Sequence, residues 1–403
     1  MDWNTLLASR GARMKASEIR ELLKLLDQPD IISFAGGIPD PTLFPAQAFA
    51  ETFASVMAGP LANSALQYSV SEGYLPLREW LAARMAALGV PCGAENILIT
   101  SGSQQALDYL GKLLLSPGDT AMVGWPTYLG ALGAFNAYEP RYERLDPLDN
   151  RPAGELVDAA APGAVKFAYL TPDFANPTGE TLPLAQRHAL LDRAEAMGIA
   201  VIEDSAYQAL RYDGEAVPPI LALDVARSGG IENTRTIYCG SFSKTLAPGL
   251  RVGWVCAAKP VIQRLVLMKQ AADLHSATLN QIVTHQVAEK LFDRHVAGLH
   301  ATYSARRDAL LAALAREMPE GVSWTRPEGG MFIWLTLPEA MDGAALLARA
   351  IATEKVAFVP GGAFFADGSN RNTLRLSFSC ASPSQIDEGM ARLGRVMRSR
   401  LEK

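Results

Sequence analysis

The chain has 403 residues, 49% hydrophobic and 20% charged, with a net charge of −5, so two or three globular domains with a sizeable core are expected. No basic stripe recommends a nucleic-acid partner, and no run of about 18 apolar residues recommends a membrane span. Four cysteines without a Cys-x-x-Cys pair and only five histidines argue against a metal centre and read as reduced thiols in a cytosolic protein, and Met1-Asp2-Trp3-Asn4 does not begin a signal peptide.

Residues 1–30 read as a polar arm with one amphipathic helix, Ala16 to Leu26. Ile31 to Pro45 is too rich in Gly and Pro to be regular. Further on, Ile97–Thr100 is a short apolar strand, followed by a helix from Ser103 to Leu115 that Ser116-Pro117-Gly118-Asp119 ends. Ala121–Val123, Lys166–Leu170, Ala200–Glu203, Thr236–Cys239 and Val252–Cys256 are further buried strands, and Leu184–Met197 is a helix started by Pro183. Strands alternating with helices predict a mostly parallel α/β sheet. Ala277 to Arg316 is helix-rich and leads to strands at Met331–Leu335, Ala357–Val359 and Thr373–Phe378, with helices at Gly343–Thr353 and Ser384–Arg398. That final stretch predicts a smaller α+β domain, completed by the N-terminal segment. The expected division is 1–45, 46–290 and 291–403.

Several short segments carry chemistry. In Gly240-Ser241-Phe242-Ser243-Lys244-Thr245-Leu246-Ala247-Pro248-Gly249-Leu250-Arg251, one lysine has hydroxyls at minus one and minus three and an arginine seven residues on. A lysine that forms a Schiff base with a phosphorylated aldehyde needs such donors for the phosphate and a nearby cation to keep its amine partly deprotonated. Ser101-Gly102-Ser103-Gln104 follows a strand and opens a helix, where free amides favour an anion; an ordinary helix cap by Ser103 fits equally well. Glu203 and Asp204 end a buried strand, and spacing alone does not choose between them. Asn176, in Asn176-Pro177-Thr178-Gly179, lies 28 residues before Asp204, one strand–helix–strand unit, so both reach the same edge of a parallel sheet. Arg375 stands alone in the apolar Leu374–Phe378 strand and needs a partner or a carboxylate ligand.

Taken together, from about Ser17 to Phe378, these segments resemble the fold-type-I, pyridoxal-phosphate-dependent aminotransferases of class I/II, and most closely the 2-aminoadipate and kynurenine aminotransferase subgroup. The resemblance implies a large domain with a mostly parallel seven-stranded sheet plus a smaller α+β domain. It implies that Lys244 carries pyridoxal 5′-phosphate and that Ser103, Gln104, Ser241, Ser243 and Arg251 hold the phosphate. It selects Asp204 for the ring nitrogen, Tyr207 and Asn176 for the phenolic oxygen and Tyr128 for the ring face, with Lys244, Asp204 and Tyr207 as the catalytic group. Arg375 corresponds to the α-carboxylate anchor, with Gly37, Asn176 and Phe332 lining the same pocket. Tyr68 matches a residue that reaches the neighbouring subunit's phosphate, which implies a homodimer with a shared site. Arg20 matches a helix residue that can read a substrate's side-chain carboxylate.

The activity so implied moves an amino group between an L-amino acid and a 2-oxo acid in two half-reactions through the Lys244 Schiff base. Glutamate and 2-oxoglutarate are the expected one pair, with 2-aminoadipate, an aromatic or a branched-chain amino acid supplying the other. Two alternatives share these motifs: another pyridoxal-phosphate reaction such as a β-lyase, decarboxylase or racemase, and the ligand-sensing half of a transcription regulator. The second needs a DNA-binding domain upstream, and only about 30 residues precede Ile31–Pro45.

Overall fold

The computed structural model describes residues 1, 3–14, 30–146 and 163–401. The helix expected over 16–26, and Arg20 with it, lie outside these residues. The centre of the molecule is a seven-stranded sheet of β2 (Ile97–Thr100), β3 (Thr120–Val123), β4 (Arg141–Arg144), β5 (Val165–Leu170), β6 (Ala200–Asp204), β7 (Thr236–Ser241) and β8 (Gly253–Cys256). Its order is β2-β8-β7-β6-β5-β3-β4, and only β8 runs against its neighbours. The apolar runs read from the sequence become these strands because helices cover both faces, which suits strands without alternation. β2, β3 and β7 are buried at every position. β4 was not expected. Its sequence, Arg-Tyr-Glu-Arg, is half-exposed, as a charged edge strand should be.

A second, four-stranded sheet has the order β12-β13-β10-β9, from β9 (Ser323–Trp324), β10 (Phe332–Thr336), β12 (Val359–Pro360) and β13 (Thr373–Ser377). β1 (Ile32–Ser33) pairs in parallel with β11 (Val356–Ala357). The single strand expected at Ala357–Val359 is therefore two short strands in different sheets, because Phe358 between them turns its ring into the core. One helix, Thr278–Glu317, runs 40 residues through the boundary drawn at 290/291. Its residues up to Val296 pack with the large sheet's core, and those from Leu299 onward pack with the small sheet's core. No helix among the described residues is long and apolar enough to cross a membrane.

Strand register brings the chemistry to one edge. Gly253 lies opposite Thr100 on one side and Ser241 on the other, so Ser101–Ser103, Ser241 and Arg251 meet where β2, β7 and β8 end. Leu170 lies opposite Glu203, and Asp204 opposite Cys239. The loop carrying Asn176 therefore leaves the sheet beside Asp204, and the segment carrying Lys244 leaves it one strand further along.

Candidate active site

Lys244 follows β7 in a turn whose hydroxyls bond to one another: Ser241 Oγ donates to Ser243 Oγ at 2.9 Å, and Ser243 N donates to Ser241 Oγ at 3.1 Å. Lys244 is half-buried as a residue, but its amine is enclosed and donates to Gly37 O at 2.8 Å. Burial, then the positive charges of Arg375 and Arg251, bring the amine's pKa down to about 8, against the pull of Asp204. A neutral, nucleophilic amine is thus within reach of neutral pH.

Asp204 ends β6 almost wholly buried. One carboxylate oxygen accepts from Tyr169 Oη at 2.8 Å, while Oδ1 has no hydrogen-bond partner. Burial lifts its pKa to about 6, offset in part by the Tyr169 bond. A buried carboxylate with an unused oxygen is costly unless a cationic or N–H group meets it. The neighbouring Glu203 is accounted for otherwise: its two oxygens accept from Ile220 N and Leu221 N, each at 2.9 Å, at the start of the Ile220–Ser228 helix. The structure thus separates the two acids that spacing left equivalent.

Arg375, from β13, is 1% exposed. Nη1 donates to Asn176 Oδ1 at 2.6 Å and Nη2 to Ala35 O at 2.9 Å, while Nε has no partner. Its guanidinium carbon lies 4.2 Å from the Phe332 ring centre and 5.1 Å from that of Phe364. Among the described residues no carboxylate is its hydrogen-bond partner, so none of them makes the internal salt bridge that would have explained it. Asn176 Nδ2 donates in turn to Tyr207 Oη at 3.4 Å, and the Tyr207 ring meets Phe332 edge-on at 5.6 Å. Burial drives the Tyr207 pKa upward, so the phenol stays protonated and available as a donor. Tyr128 is near enough for its phenol to act on the proton affinity of Tyr169, Tyr207 and Arg375.

An anion would be received where the Ser103–Leu114 helix begins. Gly102 takes φ +78° ahead of it, a conformation open to glycine, and a side chain on Gly253 would come within 2.6 Å of Ser103 N. Both glycines let the loop lie flat against β8. Arg251, itself at φ 55°, reaches over this loop and donates to Ser101 O at 3.4 Å. Gln104 is placed differently: its side chain donates to Gly130 O at 2.6 Å, tying the helix start to the loop of Tyr128.

The structure therefore gathers Lys244, Asp204, Tyr207, Asn176, Tyr128, Arg375, Phe332 and Gly37 around one centre, with Ser103, Ser241, Ser243 and Arg251 at its rim. It does not bring Tyr68 there. Tyr68 is 78% exposed, and its ring meets the edge of His275 at 5.9 Å. Sequence reasoning missed Tyr169, Phe364 and Ala35. Tyr169 had a signal, since a tyrosine hydroxyl in a wholly buried strand needs a partner; a backbone carbonyl such as that of Ala35 has none.

The model of the family described as aminotransferase class I and II matches residues 40–393. The chain belongs to that family. It is 41% identical to an aromatic-amino-acid aminotransferase of Thermococcus litoralis, over all of this chain and 96% of the relative. Among solved structures, the α-aminoadipate aminotransferase of Thermus thermophilus, complexed with N-(5′-phosphopyridoxyl)-L-leucine, matches with a TM-score of 0.88 at 39% identity over the full length of both chains. A kynurenine aminotransferase of Pyrococcus horikoshii matches with a TM-score of 0.91 at 40% identity, over all of this chain and 99% of that one. This aminotransferase is thus a pyridoxal-phosphate enzyme of fold type I, acting on amino acids and 2-oxo acids. Its own residues fit the cofactor: a buried amine of lowered pKa, a helix start framed by hydroxyls for a phosphate, and an orphaned buried carboxylate oxygen for a protonated ring nitrogen.

Proposed function

We propose that this aminotransferase works in two half-reactions, with glutamate and 2-oxoglutarate as one pair and 2-aminoadipate, an aromatic or a branched-chain amino acid with its oxo acid as the other. The observation that carries the reading is the Lys244 amine, enclosed between Gly37 O, Asp204 and the Arg375 charge and lowered to about 8. The names of the relatives, aromatic, α-aminoadipate and kynurenine, favour the substrate range. Ser103, Ser241, Ser243 and Arg251 would hold the cofactor's phosphate, Tyr128 its ring face, Asp204 its ring nitrogen, and Tyr207 with Asn176 its phenolic oxygen.

When bound, the cofactor supplies a ring that takes up the electron pair left behind as a substrate's α-proton departs. Arg375 binds the substrate carboxylate through its guanidinium fork, and Phe332 and Phe364 keep water from that contact. Fixed there, the α-carbon is presented to Lys244 Nζ, which takes the α-proton and later delivers one. Asp204 would hold the cofactor's ring nitrogen in its protonated, charged form, since a buried carboxylate with a free oxygen gains most from a cation. Tyr207 donates with its high-pKa hydroxyl, and Asn176 links that donor to Arg375, so substrate anchoring and ring binding share one hydrogen-bonded chain. Tyr68 completes the phosphate cup of a second copy, and the active unit is a homodimer.

The test is Lys244→Ala. The variant is expected to fold and lose turnover by at least four orders of magnitude, while wild type converts to the aminated cofactor form only with amino acids whose oxo acids appear in equal amount. A variant with normal turnover, or amino-acid consumption without matching oxo acid, would count against the reading.

A further inference from the structure

Lys269, near the end of the Lys259–Gln270 helix, is a wholly buried cation that the chemistry above does not use. A buried ammonium is costly unless its donors find acceptors. Its Nζ donates to Gln105 Oε1 at 2.9 Å and to Asp273 Oδ1 and Oδ2, each at 3.0 Å. An ammonium has three donors, so none is left for a ligand. Burial would raise the carboxyl of Asp273, but Gln105 and Lys269 hold it below its ordinary value. A buried ion pair is often no more stabilising than apolar side chains of the same volume, so the reason for this one lies in what it holds.

It holds Gln105. That side chain's Oε1 accepts from Ser101 N at 2.9 Å as well as from Lys269, and its Nε2 donates to Asp273 Oδ2 at 2.7 Å. With an ammonium on its oxygen and a carboxylate on its nitrogen, the amide can face only one way. Asp273 is fixed in turn. Its Oδ1 accepts from Tyr109 Oη at 3.2 Å, its Oδ2 from Ser101 Oγ at 3.3 Å, and its own amide donates to Lys269 O at 3.0 Å. Ser101 is therefore gripped at both its amide and its hydroxyl. Its carbonyl accepts from Arg251, and the next amide, Gly102 N, donates to Thr100 O at 2.8 Å. These four bonds define the turn that leads into Ser103 and Gln104, the first two residues of the helix start described above.

We propose that Lys269, Asp273 and Gln105 are positioning residues for the cofactor's phosphate. The ion pair orients the Gln105 amide, and Gln105 holds Ser101 so that the amides of Ser103 and Gln104 and the Ser103 hydroxyl converge on the anion. The three act through Ser101 rather than on the phosphate itself, because their own donors and acceptors are already engaged with one another. This role rests on the assignment of Ser103, Ser241, Ser243 and Arg251 to the phosphate, and it adds what keeps that cup in shape.

The experiment compares pyridoxal phosphate with pyridoxal, which lacks only the phosphate, by absorbance titration of the full, cofactor-free chain. Both aldehydes can reach Lys244, so the ratio of their dissociation constants reports the phosphate site. Wild type is expected to favour the phosphorylated form by roughly a hundredfold or more, as several charge-assisted bonds to one anion require. Gln105→Leu and the double variant Lys269→Met/Asp273→Leu leave the net charge unchanged. Each is expected to cut that preference about tenfold or more, the equivalent of one misplaced donor, while pyridoxal binds within about threefold of wild type. A purely structural role would weaken both aldehydes together and leave the ratio in place. If the double variant does not fold, Gln105→Leu, which removes no charge, decides alone. A wild-type ratio near one, or a ratio that Ser103→Ala and Arg251→Met leave intact, would overturn the phosphate site and the positioning role with it. A ratio that falls in those two variants but stands in Gln105→Leu or in the folded double variant would overturn the positioning role alone.

Discussion

Replacing Arg375 by methionine would remove the group proposed to bind a substrate carboxylate while keeping most of the side chain's volume between Phe332 and Phe364. In the proposed role the fork would make two charge-assisted hydrogen bonds, and each such bond contributes about 1.5–3 kcal/mol. Loss of both from the bound substrate corresponds to about 3–6 kcal/mol, or roughly two to four orders of magnitude in kcat/KM. The free protein also suffers: Asn176 Oδ1 and Ala35 O lose their donors, so part of the lost activity reflects a displaced Asn176 and Tyr207. Comparing an amino acid with its decarboxylated amine separates the two effects. Single-turnover rates of cofactor amination are to be measured for both compounds with wild type and Arg375→Met, after circular dichroism has shown an intact fold. The wild type is expected to favour the amino acid by two orders of magnitude or more, and the variant to lose that preference while its amine rate changes by less than tenfold. A variant that still prefers the amino acid by the wild-type factor would refute the assignment of Arg375 as carboxylate anchor.

Three further outcomes are expected. In cofactor-free protein the rate of pyridoxal-phosphate capture is expected to rise about tenfold per pH unit below 8 and level off above it, because the Lys244 amine reacts only when deprotonated; a midpoint at pH 10 or higher would contradict the burial of the amine and the placement of Arg375 and Arg251 beside it. Asp40 Oδ2 pairs with Arg306 at 2.6 Å; burial alone would raise its pKa, but Arg306 and Thr42 hold it below the ordinary value. Asp40→Asn is therefore expected to cost about 1.5–3 kcal/mol of stability at pH 7, with the difference from wild type beginning to shrink below about pH 4 and vanishing only once pH has fallen through the lowered folded-state value, where both proteins carry a neutral side chain; urea melts whose difference does not shrink at all between pH 7 and pH 3 would contradict this. Mixing Lys244→Ala with Tyr68→Ala subunits under exchange is expected to recover activity toward about a quarter of wild-type sites, since each hybrid dimer then has one site free of both lesions; mixtures no more active than their parents would show that Tyr68 serves its own subunit or none.

What could be read in the sequence, and what could not, follows from the range over which each signal acts. The strands of the large sheet were legible because burial on both faces forces continuous apolar runs, and the loops that follow them were legible because parallel strands deliver their ends to one edge. Lys244 could be named from the hydroxyls and the arginine around it, Asn176 from its spacing to Asp204, and Arg375 as a charge in an otherwise apolar strand. Glu203 and Asp204 show where this stops. Side by side at the end of β6, they have the same charge and the same burial, and what divides them is a helix start 17 residues away that uses both oxygens of one and a tyrosine 35 residues back that uses a single oxygen of the other. Alternation of side chains along a strand sends the two acids to opposite sides, but which side holds the reaction depends on packing that no local window contains. The same limit explains β11 and β12, where one apolar run serves two sheets, and Ala35, whose carbonyl is chosen by the path of the backbone alone. Chemistry carried by a side chain's identity is thus visible before folding; chemistry carried by a lone pair left without a partner, as at Asp204 Oδ1, exists only once every other partner has been placed.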